Sequence, residues 1–196
     1  AYLAFERLPQ ALEGLSYAVS YRPVLFAGLL QHWGQLGPAE IAPKRDWTYR
    51  QVAWLAHRLG IELKMPAQHP FNPLALLRLL LAHGAATQQA AAANRWACET
   101  VLRRVWRSGE AAGTAEQVQA LAEALAPGQG ADLLAATQGD AVKARLRANT
   151  EEAAAQGIFG VPTVVVEDRL FWGLDGLELL SAWLRGDPWF DGPDWD

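Results

Sequence analysis

Apolar positions recur at helical spacing along most of the chain and alternate, or run together, in only two places. Leu3, Leu8 and Leu12 share a face over residues 2–12 and predict a helix that Gly14 ends. Leu15, Tyr17, Val19 and Tyr21 alternate loosely and predict a strand closed by Arg22-Pro23. Val24–Trp33 predicts a short helix stopped by Gly34, and the Gly-, Pro- and Gln-rich stretch Gln35–Pro43 predicts a loop, either a surface connector or a ligand lip. Asp46 is placed to cap a helix over Trp47–Leu59, with Val52, Leu55 and Leu59 at helical spacing and Gly60 as its stop. Ile61–Phe71, with Pro66, His69 and Pro70, predicts irregular chain. Asn72-Pro73 then supplies a cap and a first-turn proline for a helix reaching His83.

Gly84 separates that helix from a long alanine-rich one predicted over Thr87–Arg107. Thr114 with Gln117 has capping-box spacing and opens a helix ending at Leu125, before Pro127-Gly128. A short helical turn is predicted over 130–137, and a helix over 141–156 with Val142, Leu146 and Ala153 facing inward.

The second departure from helical spacing organises the rest. Gly157–Gly160 reads as a tight apolar turn, Thr163–Val166 as a β-branched strand, Glu167-Asp168 as a turn and Leu170–Trp172 as a second short strand. A helix follows from Gly176. Pro162 opens the first strand, where its missing N–H costs nothing, and both a trans and a cis Val161–Pro162 bond fit that position. Residues 187–196 form an acidic, aromatic tail expected to lie on the surface or to dock through Trp189 and Phe190. The order strand, helix, helical block, helix, strand, strand, helix is that of an α/β, thioredoxin-like sheet with a large helical insertion, short of one strand. The expected division is a thioredoxin-like domain from residues 1–43 and 138–186, a helical insertion at 44–137, and the tail. Residues 1–8 already read as the inside of an amphipathic helix, so the missing first strand is expected ahead of Ala1.

Composition narrows the function classes. A net charge of -4 and the lack of a basic stripe interleaved with aromatics speak against a nucleic-acid partner. No apolar run approaches the ~20 residues of a membrane span. One cysteine, Cys98, makes neither an internal disulfide nor a Cys-x-x-Cys pair, and a cytoplasmic setting is the default expectation. The four histidines, His32, His57, His69 and His83, stand apart in sequence, and no metal site is expected. Gly34-Gln35-Leu36-Gly37 lacks the context of a phosphate loop.

The remaining polar candidates have two readings each. Lys44, ahead of the predicted helix, is a solvated lysine or a cation for a ligand carboxylate. Asp175, ahead of the last helix, is an N-cap or a receiver for a ligand ammonium. Asn72 reads as a cap, and Cys98 as buried filler. Phe26, Trp33, Trp47, Phe71 and Trp172 supply flat surfaces for aromatic substrates.

GIFGVPTVVV followed by LFWGLDGLELL resembles the C-terminal half of the 2-hydroxychromene-2-carboxylate isomerase family, relatives of kappa-class glutathione transferases with a DsbA-like thioredoxin fold. AYLAFERL, GPAEIAPKRDW, RLGI and HPFNPLALLRL extend the likeness over the whole chain. The resemblance implies a cis Pro162 and glutathione as cofactor. Val161 would pair its backbone with the cysteinyl part, Asp175 and the backbone of Gly176 would hold the γ-glutamyl end, and Lys44 would meet the glycyl carboxylate. It also implies a catalytic serine ahead of Ala1, with Ala1 in the place of the second cysteine of a dithiol oxidoreductase. Two departures are Gly176, where relatives often carry arginine, and Gln35-Leu36, where they often carry asparagine. The implied activity is glutathione-dependent cis–trans isomerisation of a small aromatic 2-oxo or hemiketal acid, with a homodimer left open. A kappa-like transferase or peroxidase and a non-catalytic thioredoxin-like binding module are the alternatives.

Overall fold

A computed structural model describes residues 1–89 and 92–195. Its elements, in chain order, are α1 (Tyr2–Ala11), α2 (Phe26–Trp33), α3 (Ala42–Leu59), α4 (Leu74–Ala86), α5 (Arg95–Arg107), α6 (Ala115–Leu125), α7 (Gly130–Ala136), α8 (Asp140–Ala155), β1 (Thr163–Val166), β2 (Arg169–Trp172) and α9 (Gly176–Leu184), with short 3-10 turns at Pro38–Glu40 and Pro188–Asp191. They form two compact units, residues 1–18 with 160–196, and residues 19–159. These units describe where contacts are dense; the division into a thioredoxin-like domain and an insertion concerns fold ancestry and stays an expectation.

The smaller unit is built on the β1–β2 hairpin, antiparallel with Thr163 opposite Trp172 and Val166 opposite Arg169. The expected turn at Glu167–Asp168 is present, with Glu167 in the left-handed region at φ 56°. Strand alternation sends Phe171 into the core, where it is fully buried, while α9 packs on β2 and α1 packs on α9. The tail docks here through Phe190, one of the expected pair, together with Trp195. Phe190 is buried and Trp195 stacks on Phe171 with ring centroids 5.8 Å apart under the Arg169 guanidinium, whereas Trp189 is exposed.

The larger unit surrounds α4. Leu76, Leu79, Leu80, Leu81, Ala82, His83 and Gly84 are all buried, and α5, α6, α7 and α8 pack around them. A helix buried on so many sides needs apolar residues around its girth, which LALLRLLLAHGAA supplies. By contrast α3 buries only Ala56.

Three predicted elements are corrected. The strand at 15–21 does not form: among the described residues only Tyr21 finds a ladder partner, in an isolated bridge to Ala93. Alternation without a neighbouring strand leaves the backbone nothing to pair with. The helix expected to start at Trp47 starts at Ala42, so Asp46 lies inside it and caps nothing. Pro43 was read as a loop residue, but a proline in the first turn loses no hydrogen bond. The helix expected from Thr87 starts at Arg95, because the Asn94 side chain accepts the Ala97 N–H at 2.8 Å. Residues 90 and 91 of that expected helix lie outside the described residues. The chain turns as it leaves α4, with the Gln89 N–H bonded to the Gly84 carbonyl at 2.7 Å.

His83, within α4, is 5% exposed and its Nδ1 has no hydrogen-bond partner. Burial lowers its pKa from the ordinary 6.5. A folded-state pKa below the unfolded one means that its contribution is full above 6.5 and is lost as pH falls through 6.5 toward the folded value. His83→Leu is therefore expected to flatten the fall of Tm on acidification from pH ~7.5 to ~5.5. An acid limb as steep as that of the parent protein would show that other groups set it.

Candidate functional site

The end of α8 sets up the turn that follows. Gly157 takes φ 81°, the Gly157 N–H bonds the Ala154 carbonyl and the Ile158 N–H bonds the Ala153 carbonyl, each at 3.0 Å. This is a Schellman closure, and glycine is there for its left-handed backbone. The chain then enters the smaller unit at Gly160. The Val161–Pro162 peptide is cis, as the resemblance implies; His69–Pro70 is cis as well, which the sequence reading did not anticipate.

Two bonds hold this turn. Thr163 Oγ1 donates to the Gly160 carbonyl at 2.8 Å, and the Gly173 N–H donates to the Pro162 carbonyl at 2.9 Å. Both bypass Val161. Among the described residues its N–H and C=O find no protein partner, although the residue is half-buried. A pair of unmet backbone groups beside a strand end is a seat for an extended peptide ligand.

Asp175 and Gly176 stand in the same unit, at the start of α9. Asp175 occupies the N-cap position but has helical dihedrals, φ -67° and ψ -31°, and its carboxylate makes no capping bond. Side-chain capping needs an extended backbone at that residue, so the capping reading is overturned. The carboxylate is exposed and meets no cation among the described residues. Gly176 lies against β2: a Cβ there would stand 3.0 Å from the Phe171 carbonyl carbon. An arginine in its place would force α9 and β2 apart by a few tenths of an ångström, which gives this departure from the resemblance a steric reason.

Lys44 belongs to the larger unit. It sits in the first turn of α3, exposed, its carbonyl accepting Thr48 Oγ1 at 2.7 Å. A cation at the positive end of a helix works against the macrodipole, and an anion bound nearby would relieve that conflict. Gln35 is held by its N–H to the Leu30 carbonyl at 2.9 Å, and Leu36 is exposed.

Cys98 is buried on α5, and burial pushes its thiol up to about 12 despite the opposing charge of Arg95. It stays protonated at neutral pH and is no nucleophile. The larger unit also holds a pair that sequence reasoning missed. Tyr49 Oη donates to the His69 carbonyl at 3.0 Å and lies 2.6 Å from His69 Nδ1. Nδ1 donates to the phenol oxygen in one imidazole tautomer and accepts the phenolic proton in the other. Phe71 and Trp106 flank the imidazole, with centroids 5.8 Å and 5.5 Å away, and burial lowers its pKa. The two partners are 20 residues apart, so no local spacing could have signalled the contact.

A family model described as a DSBA-like thioredoxin domain matches residues 1–185. The chain belongs to the DsbA-like thioredoxin family. Among relatives of this member, glutathione S-transferase kappa 1 of Rattus norvegicus is 25% identical over 98% of the chain and 88% of the transferase. A 2-hydroxychromene-2-carboxylate isomerase of Sphingobium xenophagum is 28% identical, with 94% of the chain and 91% of the isomerase covered. A solved structure of 2-hydroxychromene-2-carboxylate isomerase superposes with a TM-score of 0.76 at 26% identity, covering 100% of the chain and 93% of that structure. The relatives are enzymes by name, an isomerase and a transferase. Among the described residues no helix is long and apolar enough to cross a membrane.

Proposed function

We propose that the chain is a glutathione-dependent isomerase acting on a small aromatic acid of the 2-hydroxychromene-2-carboxylate type. The observation that carries this reading is the unpaired backbone of Val161 beside Pro162, with the uncapped, exposed carboxylate of Asp175 in the same unit. The residues fit the tripeptide. The Val161 N–H and C=O match the cysteinyl amide pair, the Asp175 carboxylate matches the γ-glutamyl ammonium, and the Gly176 N–H at the start of α9 matches the neighbouring carboxylate.

When bound, glutathione would supply a nucleophilic thiol for reversible addition to the unsaturated acid, the chemistry that a cis–trans isomerisation needs. The chain's part is positional and electrostatic. Val161 fixes the peptide in extended form, Asp175 orients its charged end, and the positive end of α1, whose first turn carries no acidic side chain, favours the anionic sulfur. The same residues would serve a kappa-like transfer to another electrophile, a second reading favoured by the match to glutathione S-transferase kappa 1 over 98% of the chain.

The test is isomerisation of 2-hydroxychromene-2-carboxylate followed by absorbance, with glutathione present and after its removal. Activity that depends on glutathione is expected. Unchanged turnover without it would refute the cofactor assignment, and conjugation without isomerisation would favour the transferase.

A further inference from the structure

Trp172 has an environment that the binding of glutathione does not explain. It ends β2, and strand alternation places it opposite in facing to the buried Phe171. Its Cα partner across the hairpin is Thr163, the residue after Pro162, and Thr163 Oγ1 is bonded to the Gly160 carbonyl. The indole lies on that same turn. A Cβ added to Gly160 would stand 2.4 Å from Trp172 Nε1, 3.1 Å from Cε2 and 3.2 Å from Cδ1, so the pyrrole edge rests on the Gly160 Cα, where only glycine leaves room. Yet Trp172 is 54% exposed while Gly160 is buried. One edge of a rigid, flat ring is therefore fixed within the Gly160–Thr163 turn, one residue from the unpaired backbone of Val161, while the residue as a whole is 54% exposed.

Resting on the reading proposed above, we infer that Trp172 is the aromatic platform on which the bicyclic ring of the substrate stacks, and so a residue that selects aryl over alkyl acids. An indole offers a large apolar face with few torsions to lose, and offset stacking adds to the burial of area. Its anchorage on Gly160 keeps that face at a set position relative to Val161, where the peptide carrying the reactive sulfur is proposed to lie.

The experiment uses the full chain and its Trp172→Leu and Trp172→Phe variants, with chromone-2-carboxylate as an unreactive bicyclic probe and cyclohexanecarboxylate as a carboxylate of equal charge without a π face. Affinities are read by titration NMR with glutathione present. Trp172→Leu is expected to weaken chromone-2-carboxylate about tenfold. Trp172→Phe should restore it to within about threefold, and cyclohexanecarboxylate should bind all three proteins alike. Glutathione affinity should not move. Equal binding of the aryl probe to the parent and Trp172→Leu proteins overturns the inference, and so does a parent protein that does not distinguish the two probes. Its failure and that of the isomerase reading are separable. Trp172-dependent aryl binding without glutathione-dependent turnover supports the platform and sinks the isomerase, whereas turnover with an aryl preference indifferent to Trp172 does the reverse.

Discussion

Gly84→Ala is expected to destabilise the protein by about 3 kcal/mol, at the upper end of ordinary overpacking, and to lower Tm by roughly 6–12 °C. The reason is space. A Cβ at Gly84 would stand 1.9 Å from the Ala92 carbonyl oxygen and 3.0 Å from that of Gln89. Both obstacles are backbone, so no side-chain rotation relieves them. The segment around them is itself tied down, by Gln89 N–H to the Gly84 carbonyl and by Ala93 N–H to the Tyr21 carbonyl, each at 2.7 Å. Accommodating one methyl group thus requires the return from α4 to α5 to move away from the buried core of the larger unit. Gly60→Ala is the matched control. Gly60 has φ 65° with open space around it, so its cost is confined to the backbone, about 1 kcal/mol. The comparison is made by thermal melts of both variants; a Gly84→Ala protein no less stable than Gly60→Ala would show that the return segment yields freely.

Local chemistry made much of the fold legible, and its limits are physical. Gly34, Gly60 and Gly157 each end a helix in the left-handed conformation that their position in the sequence predicts. Thr114 accepts the Gln117 N–H as the capping spacing predicts, but Gln117 reaches the Gly113 N–H instead of completing the box on Thr114. The hairpin after Pro162 was readable because β-branched residues, a turn and an alternating partner strand fall within ten residues, 163–172. Residues 15–21 carry a similar alternation and still do not form a strand, because pairing depends on a neighbour that alternation alone does not reveal. Asn94 was readable in principle: a cap residue inside an alanine run outweighs the small propensity gain of continuing the helix.

The candidate site shows the same boundary. Val161 and Pro162 could be singled out because a proline at a strand mouth is unusual, and the family likeness gave the position a role. That the backbone of Val161 is left unpaired depends on where Thr163 Oγ1 and the Gly173 N–H go, which only coordinates show. The exposure of Trp172 beside that turn was equally hidden. Five aromatic residues were candidates for a substrate surface on sequence alone, and what separates Trp172 is the close approach of its indole to Gly160.

Asp175→Ala is expected to raise the Kd for glutathione about 10- to 100-fold, the loss of one charge-assisted contact. It should leave Tm within about 1 °C of the parent, because no capping bond is there to lose. These two readouts divide the possible roles of the residue. A ligand-binding carboxylate loses affinity without loss of stability; a cap, had its backbone been extended, would have lost roughly 1 kcal/mol of stability and little affinity. Asp175→Asn refines the result: it keeps an acceptor of similar shape but removes the charge, and should recover part of the affinity while losing most of its dependence on salt. The titration is done calorimetrically on the full chain at two ionic strengths. An unchanged Kd for Asp175→Ala would remove Asp175 from the site. A fall in Tm with an unchanged Kd would restore it to the ordinary work of starting α9.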